Sequence, residues 1–360
     1  MMITPKQTLI CLGIASGLLF LWGTGPRPAA QESAGRLRLN VDLVQLNIAV
    51  TDHKGNYIPG LRPQDFNITE DKIPEKIATF EEGNQIVNEV SPISGGPAHI
   101  AEPPQSGAPA QGAEMSSVPV SQPAGANVFI LFDTSNYMYH GFVFAQDAIT
   151  DFIRSMASED KIAFYSYSRD LSRATTLTLN RFDLIHGVRS TVAGDDAALY
   201  NCLLLTVQDA APLRGRKAIV VFSNGPDNAS SVPPEDVAEL AQSTGTIIYI
   251  ISTEAAQQEP VSTAAFERVS RATGGKAYFA NNWRDEQKAF SSIKEDLAHL
   301  YTLSYYPAPN PNRGWRSISV KLVGKSLQKY RIRTRDGYSL QQAAVNQESY
   351  PVKHRIADPQ

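Results

Sequence analysis

Between Asn127 and Leu300 the chain alternates short, almost wholly apolar runs with stretches whose apolar residues recur at helical spacing. Asn127-Val-Phe-Ile-Leu-Phe132, Lys161 to Ser168, Lys217 to Ser223, Thr246 to Ser252 and Lys276 to Ala280 read as buried strands. Leu171 to Leu179 is a further strand reached by a tight turn. Phe144 to Met156, Asp196 to Ala211, Pro234 to Ser243, Ser262 to Thr273 and Arg284 to Leu300 read as helices. Continuous apolar strands separated by helices predict a doubly wound, mostly parallel α/β sheet covered on both faces.

The flanks follow a period of two instead. From Leu37 to Val50 the apolar positions alternate but change phase: Leu37, Leu39, Val41 and Leu43 share one face, Val44, Leu46, Ile48 and Val50 the other. Such a slip requires a bulge or a break. Short strands follow near Phe66 to Thr69 and Lys76 to Glu81, and after the α/β region at Tyr301 to Tyr306, Arg316 to Val323 and Gln328 to Thr334. Neither group can close a core alone. Together, four strands before and three after predict a seven-stranded antiparallel β-sandwich, its halves at 36–90 and 301–339, with the α/β domain of 127–300 inserted between them. In the last strand Lys329, Arg331, Arg333 and Arg335 alternate with Tyr330, Ile332 and Thr334, which reads as a charged edge face that discourages aggregation.

Composition adds three boundaries. Residues 91–126 hold seven Pro, five Gly and no aromatic residue, the composition of a linker. Residues 340–360 are a polar tail. Residues 1–30 pair the single early cation Lys6 with an apolar run from Thr8 to Gly23 and end in small residues at Pro28-Ala29-Ala30, the layout of a cleaved export signal. The run is short for an uncleaved anchor and is broken by Gly13 and Gly17. Ile10 before Cys11 also argues against a lipid-attachment site. No other window is long and apolar enough to span a membrane, so the expected location is extracytoplasmic, periplasmic or secreted.

The whole chain has 360 residues, 33 Lys+Arg, 36 Asp+Glu and 2 Cys. Without Lys6 and Arg27 the balance is 31 minus 36, or −5, which argues against a nucleic-acid partner. Loss of Cys11 leaves Cys202 by itself, excluding a disulfide framework and a Cys-based zinc site. Cys202 lies in Leu199-Tyr-Asn-Cys-Leu-Leu-Leu205 and reads as a buried, inert thiol. There is no G-x-G-x-x-G, P-loop, G-x-S-x-G or H-E-x-x-H sequence, so nucleotide, serine-hydrolase and metalloprotease chemistry have no motif behind them.

Ligands of open α/β sheets bind beyond the carboxyl ends of the strands. Here those ends are Phe132-Asp133-Thr134-Ser135-Asn136-Tyr137, the acidic loop Gly194-Asp195-Asp196-Ala197-Ala198-Leu199-Tyr200, and Phe222-Ser223-Asn224-Gly225. Their order and spacing from about Asn127 to about Leu300 resemble the von Willebrand factor A (VWA) fold. The flanking segments from Val44 to Asp52 with Gly55, Gly60-Leu61, Asp65-Phe66 and Glu70-Asp71, then Leu303-Ser-Tyr-Tyr-Pro307 and Tyr330 to Tyr338, are similar to the secreted bacterial VWFA-related family.

The resemblance implies an interaction or adhesion module, and in many members a metal-ion-dependent adhesion site for Mg²⁺ or Mn²⁺. Such a site draws oxygen ligands from an Asp-x-Ser-x-Ser loop, a Thr of the second loop and an Asp of the third. This chain keeps Asp133 and Ser135, whereas Tyr137, Ala197 and Asn224 stand at the other three positions. Two hydroxyls and a carboxylate are lost, so the expected mode is metal-independent. The variant reading keeps Mg²⁺ or Mn²⁺ on Asp133 and Ser135, with Asp195, Asp196 or Asp227 substituting; acids before helices are more often caps. Asp133, Asn136, Tyr137, Tyr139, His140, Asp195, Asp196 and Asn224 are the candidate contacts to a protein or cell-surface ligand. An enzyme with Asp133 as carboxylate nucleophile or base is the rival class, resting on fold analogy.

Overall fold

The computed structural model describes residues 43–83, 85–86, 125–253 and 260–340. The export signal, the apolar positions Leu37 to Val41, the linker over 91–124 and the tail after Leu340 lie outside the described residues. The strands before the linker are β1 Val44–Thr51, β2 Phe66–Glu70, β3 Ile73–Glu75, β4 Ile77–Glu82 and β5 Gln85–Ile86. The α/β region runs β6 Asn127–Asp133, α1 Phe142–Ser155, β7 Lys161–Tyr167, β8 Leu171–Thr178, α2 Arg181–Arg189, α3 Leu199–Ala210, β9 Lys217–Ser223 and α4 Pro234–Thr244. It continues with β10 Ile247–Ser252, α5 Pro260–Ala272, β11 Ala277–Phe279 and α6 Trp283–His299. The chain then returns through β12 Tyr301–Tyr305, β13 Trp315–Leu322, β14 Arg331–Arg333 and β15 Gly337–Ser339.

The central sheet has the order β11-β10-β9-β6-β7-β8 and is parallel except for the antiparallel β7–β8 pair. The unbroken apolar run in β6 serves both faces. Val128, Ile130 and Phe132 pack with Ile149 and Phe152 of α1, Leu184 of α2 and Phe290 of α6. Phe129 and Leu131 pack the opposite way, with Leu203 of α3, Val237 of α4 and Phe266 of α5. Period-two side chains in a strand buried on both sides require this division. Cys202 lies in the second core, and burial pushes its thiol up to about 12.

Helix ends follow local chemistry. Asn282 accepts the Arg284 and Asp285 backbone N–H groups at 3.0 and 3.2 Å to open α6. Gly245, in the left-handed region at φ 70°, closes α4. The helix α2, which periodicity did not mark, starts on the Asn180 side chain and buries only Leu184, Gly187 and Val188.

The flanking strands interleave. One sheet has the order β14-β1-β12-β4-β5 and the other β15-β13-β2-β3, so strands from before and after the α/β region sit side by side in both. The register runs Leu46 opposite Leu303 and Val320 opposite Ile68. Leu46, Ile48, Phe80, Leu303 and Tyr305 of the first sheet meet Phe66, Ile68, Ile318, Leu322 and Tyr338 of the second in one core. The α/β domain is therefore inserted between the halves of an antiparallel sandwich. The described strands number nine instead of the expected seven: the alternating stretch before Leu43 lies outside the described residues, and β3, β5 and β15 are too short to show a period. Within the sandwich, Glu70 is buried against Arg316 at 2.7 Å and accepts the Tyr305 and Tyr338 hydroxyls at 2.9 Å each.

The last predicted strand needs correction. β14 covers only Arg331–Arg333 and lies at the sheet edge, where Lys329 and Arg331 are exposed as expected but the other two cations are not. Arg333 reaches across to Asp296 of α6 and to the Gly274 carbonyl, while Arg335 is buried. Asp296, fully buried, also accepts the Tyr57 hydroxyl at 2.8 Å and the Tyr249 hydroxyl at 2.6 Å. Removing one member of such a network leaves a buried charge uncompensated. The Arg333 side chain remains 30% exposed, so Arg333→Met is expected to lower the unfolding free energy by about 3 kcal/mol, at the low end for a buried pair. Urea denaturation of the full chain measures this, and a change below about 0.5 kcal/mol would mean the pair behaves as a surface contact.

Candidate functional site

Adjacent strands β6 and β9 carry the chain in opposite directions across the sheet, because β6 continues into β7 on one side while β9 leads to β10 on the other. Their carboxyl ends mark the switch point. Asp133 ends β6 there, 0% exposed. Its Oδ1 accepts the Ser135 N–H at 2.9 Å and its Oδ2 the Ser223 hydroxyl at 2.7 Å. Ser223 in turn accepts the Tyr167 hydroxyl at 3.0 Å and the Gly225 N–H at 3.1 Å. Burial pushes the Asp133 carboxyl up, against the pull of Ser135, Ser223 and Tyr167 around it.

Three loops converge above this carboxyl. The Asn136 N–H donates to the Asp195 carbonyl at 2.9 Å, and the Gly194 N–H donates to the Thr134 carbonyl at 2.7 Å. A side chain at position 194 would collide with Ser168, since a Cβ there falls 2.4 Å from the Ser168 Oγ. Asn224 closes the other side: its Nδ2 donates to the Tyr137 carbonyl and its Oδ1 accepts the Thr253 hydroxyl. Asn228 links the third loop to the second, accepting the Ala197 N–H at 2.8 Å and donating to Asp196 at 3.3 Å. Asp227 accepts the Tyr200 N–H at 3.0 Å and so caps α3 from across the site.

The candidate contacts divide by exposure. Asn136 and Asp195 are exposed, Tyr137 is 40% exposed with its hydroxyl 3.5 Å from the Asn228 amide, and Asp196 is half-buried beside Arg169. The Arg169 hydrogen bond holds the Asp196 carboxyl below its usual range. Tyr139 and His140 belong to the same 3-10 turn, Asn136–Gly141, but their side chains lie outside the described set. Asp133 and Asn224, at 0% and 8% exposure, support the rim from beneath instead of forming its surface. Sequence gives Tyr167 and Thr253 no role, and Ser223 only a place in the third loop. The only signal for them is that each follows or ends an apolar strand.

Asp133 and Ser135 provide the retained oxygens for a divalent cation. Both Asp133 oxygens are engaged, Ala197 offers no oxygen, and the Asn224 amide is used at both ends. No group of three or more His, Cys, Asp or Glu suited to a metal occurs among the described residues. Mg²⁺ usually binds through one or two carboxylates and completes its octahedron with water, and of the motif's acid positions only Asp133 here is a carboxylate. Only the Ser135 Oγ, buried without a hydrogen bond of good geometry, points the other way.

A raised carboxyl pKa means the folded state holds the proton more tightly than the unfolded chain does. Asp133 thus adds stability below the ordinary Asp value of 3.8, and that contribution is lost as pH rises through its higher folded value. Asp133→Asn is expected to flatten the fall in urea midpoint between about pH 4 and about pH 7. An unchanged slope would remove Asp133 as its source.

The sequence profile of the von Willebrand factor type A domain matches residues 127–292. Solved structures similar to this chain include BatB from Bacteroides thetaiotaomicron, at 16% identity, covering 48% of this chain and 99% of that one, TM-score 0.41. Another is a von Willebrand factor type A protein from Catenulispora acidiphila, at 11% identity, 61% and 66% coverage and TM-score 0.41. A third is the vWF domain of the type V pili tip protein Mfa5 from Porphyromonas gingivalis, at 12% identity, 48% and 94% coverage and TM-score 0.42. No curated protein matches the sequence. The profile match, the mixed but mostly parallel sheet with helices on both faces, and the loop cluster at its switch point identify residues 127–292 as a von Willebrand factor type A domain.

Proposed function

We propose that this is an exported, non-enzymatic interaction or adhesion protein whose VWA domain binds a protein or cell-surface ligand without a metal ion. The contact surface is the rim formed by Asn136, Tyr137, Asp195 and Asp196, extended by Tyr139 and His140 on the same turn. Asp133 and Asn224 position that rim. The observation that carries this reading is the cross-bracing of the three loops by Asn224, Asn228 and the Asn136–Asp195 bond, which presents exposed polar and aromatic groups on a fixed base. Export rests on the composition of residues 1–30; no helix among the described residues is long and apolar enough to cross a membrane.

A second reading keeps Mg²⁺ or Mn²⁺ at Asp133 and Ser135, supported by the buried Ser135 hydroxyl, which has no hydrogen bond of good geometry. Against the rival reading of Asp133 as a carboxylate nucleophile or base stand its 0% exposure and the hydrogen bonds to both of its oxygens.

Calorimetric titration of the protein with Mg²⁺ and Mn²⁺ is expected to show no site tighter than about 1 mM. A micromolar site that vanishes in Asp133→Ala would establish the second reading. In pull-downs from cell-surface extract, capture should be insensitive to chelator and should fall about tenfold or more in the double variant Tyr137→Ala, Asp195→Ala at unchanged melting temperature. Capture equal to wild type would exclude the rim.

A further inference from the structure

The sandwich docks on the VWA domain at the amino ends of its parallel strands, opposite the rim. Gln45 of β1 donates to the Gly215 carbonyl at 3.0 Å and Asn47 to the Gly245 carbonyl at 3.4 Å. Beside these contacts lies a cleft of about 580 Å³ whose charged lining consists of Arg214, Lys217, Arg335 and Glu81. Lys217 and Arg335 are only 6% and 5% exposed. The Lys217 Nζ reaches the Ala211 carbonyl at 3.3 Å, a neutral acceptor at long range. Arg335 donates through Nη2 to the Gln45 carbonyl at 2.8 Å and lies over the Tyr338 ring, while its Nε and Nη1 have no partner among the described residues.

No ion pair among the described residues compensates either cation. Glu70 acts on Arg335 only at a distance, its own ion pair being with Arg316 at 2.7 Å. Burial pushes the Arg335 guanidinium down to about 10, and burial with the neighbouring Arg335 charge pushes the Lys217 ammonium down to about 8. Two buried cations with no direct ion pair among the described residues are expensive to keep, and a guanidinium beside an ammonium is suited to an oxyanion. The cleft also has an apolar side, with Leu213, Tyr306 and Leu340 on its lining.

We propose that this cleft binds an organic anion, its carboxylate or phosphate held between Lys217 and Arg335 and its apolar part against Leu213, Tyr306 and Leu340. This site is separate from the rim and does not depend on what the rim binds.

Benzoate and phenyl phosphate are suitable probes for the two oxyanions, with benzamide as the neutral control, in calorimetry and melting experiments on the full chain. At least one anion is expected to bind and raise the melting temperature, and benzamide to do neither. Lys217→Met should weaken anion binding by about tenfold or more, whereas the unliganded variant should be no less stable than wild type because a buried charge is removed. Binding of neither anion, equal binding of benzamide, or unchanged affinity in Lys217→Met would overturn the proposal.

Discussion

Asp296 sits on the buried side of α6 and takes hydrogen bonds from three separate parts of the chain: Tyr57 after β1, Tyr249 in β10 and Arg333 in β14. Tyr249 belongs to the VWA sheet, whereas Tyr57 and Arg333 belong to the sandwich side. Apolar packing between the two halves also exists, since Ala49 of β1 joins the core beneath α1 and α6. That contact is non-directional and would tolerate many relative orientations. A buried carboxylate tolerates few, because each bond needs its own geometry and a missing partner is costly. The arrangement is reinforced covalently. α6 ends at His299 and the chain enters β12, an interior strand of the five-stranded sheet, after a single residue.

That network also shows where sequence reading stops. The continuous apolar strands, the helical periods between them and the change to alternation in the flanks were legible, and with them the inserted topology. The cations of the last strand were legible as a pattern but not as a role. Alternation reports which residues share a face, yet what that face meets depends on Asp296, thirty-seven positions earlier. The helix α2 escaped for a different reason: it covers the sheet with few buried side chains and leaves Phe182 exposed, so its helical period is faint. The short strands β3 and β5 exist through their neighbours' hydrogen bonds, not through any period of their own.

At the site, position was legible and availability was not. Strand ends and loop order placed Asp133, Asn136, Tyr137, Asp195, Asp196 and Asn224 in one neighbourhood. Whether each one faces solvent depends on long-range partners. Asn224 is turned inward by the Tyr137 carbonyl and the Thr253 hydroxyl, and Asp133 by Ser223; neither Thr253 nor Ser223 has motif value of its own.

The residue types at these positions have a structural consequence that bears on the proposed mode of binding. A carboxylate only accepts hydrogen bonds, so an acid at position 224 could not donate to the Tyr137 carbonyl. The Asn224 amide both donates and accepts, and one side chain ties the first loop to the strand end at Thr253. Asn228 uses the same bifunctional chemistry between the second and third loops. The rim is thus held by neutral amides directed at backbone and side-chain groups, a tether that requires no ion and adds no charge beneath the surface. Its exposed tips can then be ordered before a partner arrives, which lowers the entropy lost on binding. In the mode proposed above, recognition at such a rim would depend on Tyr137, Asn136 and the acids at 195 and 196 as they stand, and not on a partner carboxylate completing a metal's coordination.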